Sequence, residues 1–196
     1  LVRLGGEIAV SIYGVLMYVE GFIQPLLYGM CDSLQPAVGY NWGARAFPRV
    51  KAIEKCCFTA AVVISLVSAL VISLIPEPIA RIFMNDVSAE AIADTVFALR
   101  LFSLTYLTRW FSFATQSFML AIERAGAATL ISVSTALIFP VLLIAALWPL
   151  GLTGLWLNFA GTSLLAGALA AVVMLRLKRD WRALTKESPE ALRETA

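Results

Sequence analysis

Two carboxylic acids, Glu20 and Asp32, lie inside one stretch of oily sequence, and an arginine, Arg109, lies inside another. An ionisable side chain in hydrocarbon costs from about 2.5 kcal/mol to several times that, so such groups face a water-filled cavity or one another and mark a pathway for ions or solutes. A carboxyl so placed exchanges a proton, or binds a sodium ion together with carbonyl and hydroxyl oxygens. Either event couples an ion gradient to movement, which makes Glu20 and Asp32 the candidate ion-coupling residues. At about 100° per residue, with Glu20 as origin, Tyr13 falls near 20°, Gln24 near 40°, Gln35 near 60°, Tyr28 near 80° and Asp32 near 120°. A polar stripe on an otherwise apolar helix points to a wet lumen; the alternative is interhelical hydrogen bonding by buried Gln and Tyr. Tyr106, Phe113 and Gln116 share one helical face with Arg109, which can pair with Glu20 or Asp32 or act on a charged solute. The candidate cavity residues are therefore Tyr13, Gln24, Tyr28, Tyr106, Arg109, Phe113 and Gln116, with Tyr28, Tyr106 and Phe113 offering π faces to a cation.

These residues need elements that hold them in a bilayer, and the composition supplies them. The 196 residues are 60% hydrophobic and 14% charged, with a mean hydropathy of +0.85, whereas a soluble domain is roughly 45–50% apolar and about 25% charged. The net charge of +2 and the lack of a basic patch with interleaved aromatics exclude a nucleic-acid binder. There is no histidine, which removes the commonest metal ligand and general base and any His-containing triad. No nucleophile has a base nearby, so the sequence is not that of an enzyme and indicates no metal. The cysteines, Cys31, Cys56 and Cys57, are odd in number and lack C-x-x-C spacing, so they read as apolar lining rather than a disulfide framework or a zinc site.

Crossing roughly 30 Å of hydrocarbon takes about 20 apolar residues. Five stretches qualify, at 8–38, 56–75, 96–122, 127–148 and 152–175, which predicts an all-α polytopic bundle over 1–175 followed by a basic tail over 176–196. Pro25 is expected to kink the first helix, whose end frays into a loop at 36–44, and Pro140 to kink the fourth. Pro76 and Pro78 open a loop over 76–95, within which Asp86 or Ser88 caps the third helix and Glu90 supports its first turn. Pro149, Gly151 and Gly154 form a tight turn. Gly14, Gly21, Gly29, Gly161 and Gly167 are expected to allow close helix approach, and Arg100 to snorkel. Segments 44–55, 123–126 and 176–196 carry four, one and six Lys or Arg, which puts them and the C-terminus in the cytoplasm. The tail is read as a surface helix or disordered, touching anionic lipid. With five crossings the N-terminus lies outside, so an upstream helix is expected and, with Leu1 in first place, a truncated chain.

The stretch GFIQPLLYGMCDSLQPAVGYNWGARAFPRVK carries Pro25 and Gly29, then Gln35, Pro36, Tyr40, Asn41, Gly43 and Ala44, then Arg49, Val50 and Lys51. It resembles the second-lobe signature of the MATE multidrug and toxic compound extrusion transporters. IFMNDVSAEAIADTVFALRLFSL and LWPLGLTGLW resemble the family's outer loop with its tenth helix and its last turn. The resemblance, over about 8–175, implies helices eight to twelve of a two-lobe transporter in the bacterial inner membrane, exchanging H+ or Na+ for small organic cations by alternating access. It implies no cofactor, and as partners membrane lipid and the missing N-terminal lobe. The tenth-like helix has Tyr106 and Arg109 where the family has an acid, so Glu20 is chosen on burial cost. The alternatives are a lipid-linked precursor flippase, which needs a cationic cavity around Arg109, and a non-transporting membrane subunit.

Overall fold

A computed structural model describes residues 2–84 and 87–194, with side chains over 5–84 and 87–180. Asp86 lies outside the described residues. The elements are α1 (Val2–Ser33), α2 (Gln35–Gly43), α3 (Phe47–Leu74), α4 (Pro76–Phe83), α5 (Ala89–Ser103), α6 (Tyr106–Ala121), α7 (Ala125–Val133), a π-turn (Ser134–Ile138), α8 (Phe139–Leu147), a 3₁₀ turn (Trp148–Leu150) and α9 (Gly151–Glu194). Three helical runs among the described residues, Gly5–Gly43, Phe47–Leu74 and Ala125–Asp180, are long and apolar enough to cross a bilayer. The pair α5 and α6, bent by 44°, makes a fourth. The 56-residue run would be about 84 Å long if straight, almost three bilayer cores. It folds back instead: Gly151 takes φ +60°, and α8 packs along α9. Among the described residues the helices therefore make five legs, the number the hydropathy predicts.

Several boundaries differ from the expected ones for identifiable reasons. Segment 36–44 is not a loop, because Pro36 sits in the first turn of α2, where its missing N–H costs nothing; the chain turns at Gly43–Ala46, with Arg45 at φ 54°. Pro76 likewise starts a helix, so the expected loop holds α4, and the link to α5 is only 84–88. Ser88 caps α5 by accepting the amide of Ala91. The second span begins at Phe47, nine residues early, because Pro48 again occupies a first turn. The π-turn at 134–138 directly precedes Pro140, and a widened turn is one of the recognised ways a helix bends. The last helix runs past 175: Leu177 is buried in the core, and Arg124 binds Asp180 at 2.8 Å.

The glycines divide. A Cβ on Gly161 would sit 3.0 Å from Leu143, and one on Gly167 would sit 3.6 Å from Thr108, whereas Gly14, Gly21 and Gly29 face open space. The expected close approach thus holds for the last leg and fails for the first. Gly154 is the tightest, because a Cβ there would run into the carbonyl of Leu147. Gly154→Ala is expected to pry α8 from α9 at a cost of about 1–3 kcal/mol, as overpacking does, seen as a lower heat-unfolding midpoint in detergent.

The third span is broken at Leu104–Thr105, where backbone bonds close three residues back instead of four. Nothing there is Pro or Gly; the break is held from outside. Ser65 of α3 donates to the Tyr106 carbonyl at 2.6 Å, Ser163 of α9 donates to the Thr105 carbonyl at 2.7 Å, and Thr108 meets Ser163 at 2.9 Å. The Thr105 carbonyl already accepts the Arg109 amide at 3.2 Å, so these hydroxyls use spare acceptor capacity to tie the start of α6 to α3 and α9. Ser65→Ala with Ser163→Ala is expected to cost about 1 kcal/mol for each bond lost, measured as the shift in unfolding midpoint against either single variant.

Candidate functional site

The break decides where the third leg's charge goes. It places the first two turns of α6 against the middle of α1, and there Glu20 meets two partners: its Oε1 pairs with Arg109 Nη2, and its Oε2 accepts the Tyr106 hydroxyl. Glu20 is 8% exposed and Tyr106 fully buried. Oε1 accepts no hydrogen bond of regular geometry, so its neutralisation rests on the guanidinium. The Arg109 Cζ also lies 5.1 Å above the Phe113 ring centroid, and Phe113 stacks on Tyr28 at 4.2 Å. Tyr106, Glu20, Arg109, Phe113 and Tyr28 thus form one continuous contact chain between α1 and α6.

Glu20 and Arg109 stand in the wall of a cavity of about 600 Å³, within the range of pockets that enclose a drug-sized molecule. Its α1 wall is Tyr13, Met17, Glu20 and Gln24; Arg109 and Ser112 come from α6. The opposite wall belongs to the hairpin: Thr135, Pro140, Ile144 and Trp148 on one arm, and Trp156, Asn158, Phe159 and Thr162 among those on the other. All of it lies in the half of the bundle that ends at the Trp148–Gly151 turn. Phe159 is held by Phe102 at 5.3 Å and by Tyr13 at 6.2 Å. Apart from the Tyr13 phenol, one carboxylate and one guanidinium, bound to each other, are its acidic and basic lining side chains among the described residues, and their opposite charges offset each other.

Of the residues singled out by sequence, Glu20, Tyr13, Gln24 and Arg109 lie together on this cavity. Tyr28, Tyr106 and Phe113 do not line it: they sit behind it and hold the ion pair, so their ring faces are already taken up. Gln116 is half-buried on α6, away from the lining. Asp32 is exposed, three turns along α1 from Glu20, and it accepts bonds from Gln35 at 2.7 Å and Ser117 at 3.0 Å. The structure thus separates the two acids that the helical wheel grouped, and ties Asp32 to the signature residue Gln35. Pro25 lies inside α1, Pro36 in the first turn of α2 and Gly43 and Ala44 at its end, Tyr40 is exposed, and Asn41 donates to the Ala37 carbonyl at 2.8 Å. Missed by sequence were Ser112, Thr135, Trp148, Trp156, Asn158, Phe159 and Thr162. Asn158 and Thr162 carried a legible signal: two polar residues one turn apart in an oily helix, here 3.4 Å apart.

A bundle of packed, partly broken apolar helices around a cavity, with an ion pair in the cavity wall, is the architecture of a multi-pass membrane protein. The MatE family model matches residues 1–145, and the chain belongs to that family. It is 28% identical over 179 residues to the multidrug export protein MepA of Staphylococcus aureus, covering 89% of this chain and 38% of that protein. With MepA of Staphylococcus saprophyticus the identity is 25% over 188 residues, or 95% and 40% of the two chains. Among solved structures, an outward-facing MATE family transporter of the MOP superfamily superposes with a TM-score of 0.82 at 21% identity, over 94% of this chain and 41% of that one. The multidrug transporter DinF-BH in complex with R6G gives 0.78 at 25%, over 90% and 39%. The chain thus spans about two-fifths of the length of the proteins it matches.

Proposed function

We propose that this chain is the second lobe of a secondary efflux transporter that exchanges H+ or Na+ for organic cations, working with a partner lobe and with its C-terminus in the cytoplasm of a bacterium. The observation that carries the reading is the Glu20–Arg109 pair, bridged by Tyr106, at the wall of the 600 Å³ cavity. A carboxylate bound to an internal guanidinium is a switch with two settings. When Glu20 takes a proton or a sodium ion, Arg109 loses its partner and the α1–α6 contact weakens; when the ion leaves, the pair re-forms and the contact tightens. Ion occupancy thereby biases the packing of α6 on α1, which is what coupling requires. The aromatic side chains that line the cavity, and so are the ones placed to meet a cationic guest, are Tyr13, Trp148, Trp156 and Phe159, in place of the tyrosines and phenylalanine that support the pair.

The test is dye uptake by inside-out vesicles holding the protein that carries this chain. An imposed H+ or Na+ gradient is expected to drive accumulation of a cationic dye such as a rhodamine, and dissipating it to stop accumulation. Equal accumulation with and without either gradient would refute the coupling.

A further inference from the structure

Cys31 in α1 and Cys57 in α3 are 1% and 7% exposed and belong to one apolar cluster with Ala61 and Ala114. The small alanine side chains let α1, α3 and α6 close on one another at this level. Both cysteines also line a second cavity of only about 10 Å³, room for no more than one water, which places the two side chains on the same small void. Cys56 is exposed instead, being turned about 100° away around α3.

We propose that Cys31 and Cys57 are a dithiol modification site that a peroxide-class oxidant converts to a disulfide joining α1 to α3. One cysteine, as its thiolate, attacks the peroxide O–O bond and becomes a sulfenic acid, the departing hydroxide taking up the thiol's proton as water; the second, again as thiolate, displaces the sulfenic hydroxide, which takes the second proton and leaves as a second water. Two S–H bonds and the O–O bond are lost, one S–S bond forms, and the two electrons leave the sulfurs for the peroxide oxygens. The surroundings favour this product over a charged one. A disulfide is neutral and apolar, whereas an anionic metal–thiolate adduct would bury charge among alanine, leucine and tryptophan at a high desolvation cost. Hydrogen peroxide is itself small and uncharged.

The site is tested by counting thiols. Membranes holding the protein are treated with hydrogen peroxide, quenched with acid, denatured in SDS and tagged with maleimide-polyethylene glycol. The three cysteines of this chain are expected to accept three tags before oxidation and one after it. In Cys56→Ala the count should fall from two to none. Dithiothreitol should restore every lost tag, and Cys31→Ala and Cys57→Ala should each lose no more than one tag, since the remaining partner can reach the sulfenic acid but cannot close the bridge. An unchanged count, a loss that dithiothreitol fails to reverse, a link between two chains on a non-reducing gel, or loss of both tags in Cys31→Ala would each overturn the assignment.

Discussion

Arg109→Met is expected to be among the most destabilising single substitutions in this chain, at about 3–5 kcal/mol, with most of the loss recovered in Glu20→Gln/Arg109→Met. Removing one partner of a buried ion pair strands the other charge, while removing both leaves a neutral contact. Here the stranded group is Glu20, 8% exposed, whose Oε1 has no partner but the guanidinium. Methionine keeps a flexible, polarisable stem near Phe113, so the loss reports charge more than packing. The check is a double-mutant cycle on unfolding midpoints in detergent. Equal destabilisation by the single and the double variant would mean that the pair carries no coupling energy. The same variant bears on the flippase alternative. A lipid phosphate needs a free cation, and Arg109 is engaged by Glu20 and Phe113, so lipid-flipping activity is not the expected loss.

What sequence conveyed, and what it did not, follows from how local each cause is. Glu20 and Arg109 were legible because a charge in hydrocarbon must find a partner, a rule that needs no coordinates. The five legs were legible from hydropathy, and Ser88 from its place ahead of Glu90. The break at Leu104–Thr105 was not, because LFSLTYLT contains no breaker; the contacts that fix the start of α6 beyond it come from Ser65 and Ser163, about 40 and 58 residues away along the chain. Without that break the position of Tyr106 against Glu20 cannot be worked out. Pro36 was misread through a sign ambiguity: a proline stops a helix it follows and starts one it opens, and only the backbone decides. The helical wheel failed for Asp32 because same-face residues three turns apart meet different neighbours: α6 offers Arg109 to one and Ser117 to the other.

Glu20→Gln is expected to abolish gradient-driven export, a drop of at least about tenfold to background, and to do so in two separable ways. Glutamine keeps the size and can still accept from Tyr106, but it neither exchanges a proton nor neutralises Arg109. The cavity, neutral in the parent, then carries one uncompensated positive charge. A cationic dye held about 7 Å from it, at an effective dielectric near 20, is repelled by about 2.4 kcal/mol, which weakens binding roughly 50-fold. Glu20→Gln/Arg109→Met removes that repulsion, so dye binding to the purified protein, followed by fluorescence polarisation, should return toward the parental value. Export should not return, because no ionisable carboxyl is left at the site. Asp32→Asn is the contrast. Asp32 lies outside the cavity and answers to Gln35 and Ser117, so binding and export are both expected to stay within about twofold of the parent. Binding that recovers while transport stays lost separates the carboxyl's coupling role from its role as a counter-charge. Parental export rates in Glu20→Gln would remove Glu20 from the coupling step altogether and leave the non-transporting subunit as the better account.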